Sequence, residues 1–458
     1  MSEHSSPSGD LLEEVKGQLS DMSDLEQRNL ELDDQQVSLI YIKSLCDSAI
    51  INRFIVSPFF AKQDMHLYEE YIVSFPGTVE VKEAEEAVAQ MLLGNVGLRF
   101  HDGRIFLFEA ARVEASPVAA SETEVIVQGP SDSFTESIEV NINLIRRRYK
   151  SADLKSELKT IGAKSKTQMA ILYDEKRVDH GVLQELAERL DQISVDLIQS
   201  AAELDKYLAS NDLRIFPTTI VTERPDRAVF NLSEGKVIVL VDTAGYAVIL
   251  PVIFSDFFTA MDDKLQVKPV GWFLKTIRYI GLMLTVMLPS IYVAFTSYNS
   301  EVWKIQIALL VAGSRATVPY PSYVEVLFML FMMECLTEAS LRLPKAIGST
   351  ATTVGGLILG TAATEAGLVS NIMIILVSVV AISNFVIPLN MMGFTVRILK
   401  YVLVFLAAIY GLLGVVGGLV GLIMFLSSLR SFGKPYFRIF ALDSLFLPKA
   451  SRGGKRNG

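Results

Sequence analysis

The run from Tyr279 to Ser300 contains no charged residue and is long enough to cross a hydrocarbon layer about 30 Å thick. Lys275 and Arg278 stand just before it, which places its start on the cytoplasmic side. More apolar segments follow. Ile305 to Gly313 is too short to span, so an interfacial or re-entrant helix is expected there. Val324 to Leu341 holds Glu325, Glu334 and Glu338, ends at Arg342 and Lys345, and reads as an outside-to-inside span. Ile347 to Ala366 and Val369 to Leu389 supply two more. Tyr401 to Leu429 is uncharged and glycine-rich, either one long tilted span or a span with a re-entrant turn, since two full crossings need about 40 residues. About five spans are therefore expected in 271–430. Counting from a cytoplasmic start, five spans put the basic tail, 431–458, outside, against the preference of its lysines and arginines.

The charge is divided to match. Gly271 onward carries 15 Lys/Arg against 6 Asp/Glu, leaving 27 against 45 for residues 1–270 out of the 42 and 51 in the chain. A nucleic-acid surface is excluded by this acidic front part. Its first thirty residues lack the basic and apolar regions of a signal peptide, so the front part is expected to stay in the cytoplasm. Cys46 and Cys335 are too far apart in sequence and in solvent for a disulfide framework.

Residues 1–37 are polar and acidic and read as a disordered tail or a loose helix. A first α/β subdomain is expected over 38–150. It has a helix at Ala84 to Leu93, a hairpin turning at Asp102-Gly103, and a connector helix from Phe134 into Arg146-Arg147-Arg148. A second α/β subdomain follows over 151–270. Its marks are a strand at Met169 to Tyr173, a helix from Gly181 to Ile193 capped by Asp179, and paired strands at Lys236 to Val241 and Tyr246 to Leu250. The fold class is thus a soluble α/β region of two subdomains followed by an all-α polytopic membrane domain.

Several ordered runs carry a family likeness. They include GPSDSFTESIEVNINLIRRRYKSADLK from Gly129, FPTTIVTERPDRAVFNLSEGKVIVLVD from Phe216, SRATVPYPSYVEVL from Ser314, and LRLPKAIGSTATTVGGLILGTAATEAGLVS from Leu341. In these the chain resembles the A subunits of bacterial spore germinant receptors over about residues 40 to 435. The resemblance implies an A subunit that assembles with a transporter-like B subunit and a lipoprotein C subunit in the inner spore membrane. It also implies a homo-oligomeric ring in contact with membrane lipid, conducting ions when nutrient occupies the B subunit. The chain departs from the family at Ser349 and Thr361, where glutamine is usual, which bears on ion preference or gating rather than on fold. A paralogue that modulates ion or solute release without a nutrient-binding partner is the alternative.

Residue patterns add candidates. On a helical wheel Thr350, Val354, Leu357, Thr361 and Glu365 share one arc, and Gly356, Gly360 and Ala363 lie opposite. The first face suits an ion path, with an apolar constriction at Val354 and Leu357 and a carboxylate at its mouth, the alternative being that Glu365, near a helix end, snorkels to the interface. The small face suits helix packing or a subunit interface, as do Gly414, Gly417, Gly418 and Gly421. Glu334, Glu338 and Arg342 form one stripe whose charges must face protein or water, an internal Glu–Arg brace being preferred to ion contact. Arg146-Arg147-Arg148 reads as a solvated helix face before an anion site. Thr222-Glu223-Arg224-Pro225-Asp226-Arg227 reads as a capped helix start that braces the subdomains before a ligand contact. His4, His66, His101 and His180 are scattered, so no metal site is expected. No phosphate loop, dinucleotide fingerprint or nucleophile elbow occurs, so neither cofactor nor enzyme activity is expected.

Overall fold

The structure, a computed structural model, describes residues 10–19, 22–32, 35–62, 64–111, 121, 124, 129–209, 214–298, 305–343 and 345–437. It divides into two units, one formed by residues up to Leu213 with Thr219–Pro251, the other by Arg214–Thr218 with Val252 onward.

In the first unit one order of elements occurs twice. The first pass runs α1 (Asp10–Leu19), β1 (Leu25–Leu32), β2 (Gln35–Ile42), α2 (Ser48–Ile51), a π turn (Asn52–Val56), α3 (Ser57–Ala61), α4 (Met65–Val73), β3 (Val79–Val81), α5 (Ala84–Met91), β4 (Asn95–Arg99) and β5 (Ile105–Glu109). The second runs α6 (Ile138–Arg148), β6 (Leu154–Ile161), β7 (Thr167–Asp174), α7 (His180–Asp191), α8 (Ala201–Leu208), β8 (Ile220–Thr222), α9 (Pro225–Ser233), β9 (Val237–Val241) and β10 (Ala247–Leu250). The sheets have matching strand orders, β1-β2-β4-β5-β3 and β6-β7-β9-β10-β8, with every pair antiparallel. Helix α1 packs on α5 as α6 packs on α9.

Strand alternation explains the layers. Val37, Leu39 and Tyr41 of β2 face the core under α2–α4, while Ile40 and Ile42 face the core under α1 and α5. The turn at Gly103 takes φ +87° and joins β4 to β5. Asp179 caps α7 by accepting from the Gly181 amide at 3.0 Å.

Two expectations are corrected in this unit. Residues 1–37 are not uniformly loose, because Leu12, Val15 and Leu19 bury one stripe of α1 and β1 pairs with β2 along its whole length. The Lys-containing stretch after Arg148 forms the edge strand β6. The second subdomain ends at Pro251, short of residue 270.

The second unit opens with a 3-10 turn (Phe254–Phe258) and α10 (Asp262–Leu265). It continues with α11 (Lys268–Ser297), α12 (Ile305–Ser314), α13 (Ser322–Arg342), α14 (Lys345–Glu365), α15 (Asn371–Phe385), α16 (Asn390–Ser428) and the hairpin β11 (Arg430–Ser431)–β12 (Lys434–Pro435). Among the described residues, α11 and α16 are long and apolar enough to cross a membrane.

Helix α16 is not one rod. Gly411 sits at φ +55°, ψ −137°, and the chain doubles back there, so that a Cβ on Gly414 would lie 2.1 Å from the carbonyl of Leu406. Near its two ends, Thr395 donates to the Ile215 carbonyl at 2.7 Å and Phe425 meets the Phe216 ring at 6.1 Å. The start and the end of α16 therefore lie at the same end of the bundle. The last hairpin joins them there, where Ser431 accepts from the Val252 amide and donates to Thr218.

Of the two readings of Tyr401–Leu429, the single tilted span is thereby corrected, and a turn falls within the segment at Gly411. Asn390–Tyr410 and Leu412–Ser428 are two antiparallel arms. The first was hidden because Arg397 and Lys400 interrupt its apolar run.

Candidate functional site

Helix α14 presents two unlike faces. A Cβ on Gly356 would lie 3.5 Å from Leu336 of α13, one on Gly360 3.7 Å from Ile374 of α15, and Ala363 is buried. The small face thus packs within the chain itself. The opposite face is open: Val354 is 48% and Leu357 67% exposed, with Thr350, Thr361 and Glu365 exposed beside them. Thr361 satisfies its hydroxyl on the Leu357 carbonyl at 3.0 Å. Glu365 is the last residue of α14, where the helix dipole disfavours a carboxylate.

The stripe on α13 divides. Glu338 pairs with Arg342 at 2.8 Å, both exposed. Glu334 instead turns to the first arm of α16, where it takes Lys400 at 2.6 Å and Arg397. The preferred brace therefore joins two helices rather than running along one. A sequence wheel of α13 alone cannot show it.

At the other end of the bundle sits a knot that sequence reasoning passed over. Glu325 is 1% exposed, and one carboxylate oxygen accepts from both the amide and the hydroxyl of Ser370 at 2.7 Å. Its second oxygen takes Arg315 at 3.2 Å, and Arg315 also donates to the Tyr320 carbonyl at 3.0 Å. One buried anion thus ties the segment after α12 to the start of α13 and the N-terminus of α15. The signal was in the sequence as an acid in the first turn of an apolar helix.

In the first unit the arginine run divides, Arg147 and Arg148 standing on the solvated face and Arg146 turning inward. Arg146 is fully buried and reaches Asp24 through two nitrogens at 2.7 and 3.1 Å, and Ser156 at 3.0 Å. Asp24 also receives Ser44, while Asn143 donates to the Ser44 carbonyl. These bonds join the first sheet's subdomain to the second's. Arg148 pairs with Asp132, and Arg147 is exposed.

The Thr222–Arg227 motif grips the strip that connects the subdomains. Arg224 donates to the carbonyls of Glu124 and Pro130 and pairs with Asp226 at 2.8 Å, and Arg227 meets Glu124 at 2.8 Å. Glu223 accepts from the Ser121 hydroxyl and the Glu124 amide. Pro225 occupies the first turn of α9 as expected. His66 and His180 lie near Glu70 and Glu175 at the surface. Among the described residues no group of His, Cys, Asp and Glu could hold a metal ion. His4 and the basic tail beyond residue 437 lie outside the described residues.

The profile of the Bacillus/Clostridium GerA spore germination proteins matches residues 13–445. The chain is 30% identical to spore germination protein KA of Bacillus subtilis over 453 residues, 96% of this chain and 82% of that one. It is 31% identical to the membrane protein YfkQ of the same organism over 87% of this chain and 79% of that one. The crystal structure of the N-terminal domain of the A subunit of the Bacillus megaterium spore germinant receptor GerK3 aligns at 22% identity and TM-score 0.40, covering 53% of this chain and 94% of that domain. With a match across nearly its whole length, the chain belongs to the GerA family of spore germination proteins.

Proposed function

We propose that the chain is the A subunit of a spore germinant receptor, a multi-pass protein of the inner spore membrane that forms a ring and opens to ions when nutrient binds. It would act with a transporter-like B subunit and a lipoprotein C subunit, as a transducer without catalytic chemistry of its own. The open face of α14 carries this reading. Hydroxyl, apolar and carboxylate groups line a helix whose other side is occupied by its own chain. In a ring, Val354 and Leu357 form a constriction that gates by dewetting, and Glu365 attracts cations at the mouth.

Six crossings are proposed: α11, α13, α14, α15 and the two arms of α16. An even number returns the tail to the side where α11 begins, which removes the conflict left by a count of five. Lys268, Lys275, Arg278, Arg342, Lys345, Arg430 and Lys434 then share the cytoplasmic (spore-core) side with the α/β unit, in keeping with the positive-inside rule.

The test is ion flux from liposomes holding the A, B and C subunits. Leu357→Ala is expected to leak without nutrient, and Glu365→Gln to lower nutrient-driven cation flux with assembly intact. Unchanged flux in both would move the path to another helix, the Glu334-bearing α13 first. The second reading is a paralogue that modulates ion or solute release without a nutrient-binding partner. Failure to co-purify with B and C subunits would select it.

A further inference from the structure

Between α11 and the second arm of α16 lies a cavity of about 490 Å³, within the range of about 300–1,000 Å³ of ligand sites. Its α11 wall follows helical spacing, Trp272, Lys275 or Thr276, Tyr279, Met283 and Val286, and its α16 wall includes Ile423. Aromatic rings of Phe216, Phe254 and Phe437 close its floor. The mouth is lateral, since Trp272, Met283 and Ile423 are all more than half exposed on the outer face of the bundle. No acidic residue lines it, and Lys275 is its one charged lining residue. Lys264 and Lys268 are exposed near the same end of α11, whereas Asp263 is engaged by Arg278.

We infer that this cavity is a binding site for one anionic phospholipid, an acyl chain in the cavity and the phosphate at Lys275. Three features select that occupant over a water-borne one. The walls are mostly apolar, with Ser255, Thr276 and Tyr279 the polar side chains besides Lys275. The opening faces where acyl chains would lie if α11 crosses a membrane. Trp272 and Tyr279 flank the lysine as aromatic residues flank a headgroup level, and a lysine there favours an anionic over a zwitterionic headgroup. The occupied site would bridge the first crossing and the last, and so tie the returning arm of α16 to the helix that enters the membrane from the α/β unit.

The inference rests on the proposed membrane embedding, so the test separates the two. Carbonate extraction comes first: if the full chain leaves the membrane, the embedding itself fails. The full chain is then placed in nanodiscs of equal phosphatidylglycerol and phosphatidylethanolamine, released in mild detergent and weighed by native mass spectrometry. One phosphatidylglycerol per chain is expected, preferred about fivefold, the ratio given by roughly 1 kcal/mol per lysine at an anionic surface.

Lys275→Gln is expected to bring the two lipids to parity. Met283→Trp with Ile423→Trp, which fill the trough, should remove the retained lipid. The Lys275→Gln arm does not depend on the filled variant folding. Absence of retained phospholipid, a composition equal to the bulk in wild type, a preference unchanged by Lys275→Gln, or a polypeptide held in the lipid's place would each overturn the inference.

Discussion

The α/β unit and the helical unit differ less in what they bury, since each has an apolar core, than in what they leave outside. In the α/β unit every residue of β9 is buried, with further apolar residues under helices on both faces of the first sheet. In the helical unit Leu413 is 82% and Phe385 70% exposed, while Glu325, Lys400, Thr285 and Ser290 are buried. An apolar exterior with polar knots inside is what a hydrocarbon solvent selects, since helix association there rests on packing and hydrogen bonds rather than on apolar burial. Where the α/β unit buries charge, at Asp24 and Arg146, it uses the pair as a clamp between two cores that are already formed. Where the helical unit does so, at Glu325, the pair sets which chain ends meet.

Breaking the clamp should have the largest effect. Arg146→Ala leaves Asp24 buried without its cation, a loss of about 3–5 kcal/mol. Hydrogen exchange on the full chain should show α6 and β6 opening while β9 stays protected. Adding Asp24→Leu should recover much of the loss. An Arg146→Ala protein with wild-type protection would mean that the subdomains are held by apolar contact alone.

Gly411→Val strains the helical unit instead. A β-branched residue at φ +55°, ψ −137°, a conformation that favours glycine, costs about 1–3 kcal/mol, and a Cβ there would lie 2.9 Å from the Tyr298 ring. Tyr298, which donates to the carbonyls of Ala408 and Ile409 freed at the bend, would have to move. Thermal unfolding of the helical signal should fall while the α/β unit's transition is unchanged. A shift in both would erase the distinction between the units.

The smallest effect is acid-dependent. The Tyr41 hydroxyl, hydrogen-bonded to Glu26, holds that carboxyl below its ordinary value despite some burial. A folded value below the unfolded one means that Glu26 stabilises above the unfolded value, about 4.3, and that this is lost as pH falls through the folded value. Tyr41 is buried, but the Glu26 side chain is still about a third exposed, so Glu26→Gln should change the acid limb of unfolding by no more than a few tenths of a kcal/mol.

The hairpin at Asp102-Gly103, the Asp179 cap and the β9–β10 pair were legible because turn chemistry and apolar alternation coincide there. Strand β1 was not, since as an edge it buries only Leu30, and α1 hides three buried residues in an acidic stretch. The faces of α14 could be drawn on a wheel because a single helix sets them. Arg146 and Glu325 could not be placed that way, because their partners lie 122 and 45 residues away.

The most direct test of two units built for two solvents is the side on which the chain leaves the helical bundle. Cys46 can stay in place, since burial raises its thiol to about 12 and it should not react near neutral pH. With Cys335→Ser as background, single cysteines are introduced at Lys434, at Glu80 of the α/β unit and at Thr317, then exposed to an impermeant thiol reagent on intact cells. Labelling is expected at Thr317→Cys alone, with Lys434→Cys and Glu80→Cys reacting only after permeabilisation. Labelling of Lys434→Cys from outside, with Glu80→Cys protected, would mean an odd number of crossings and contradict the returning arm of α16.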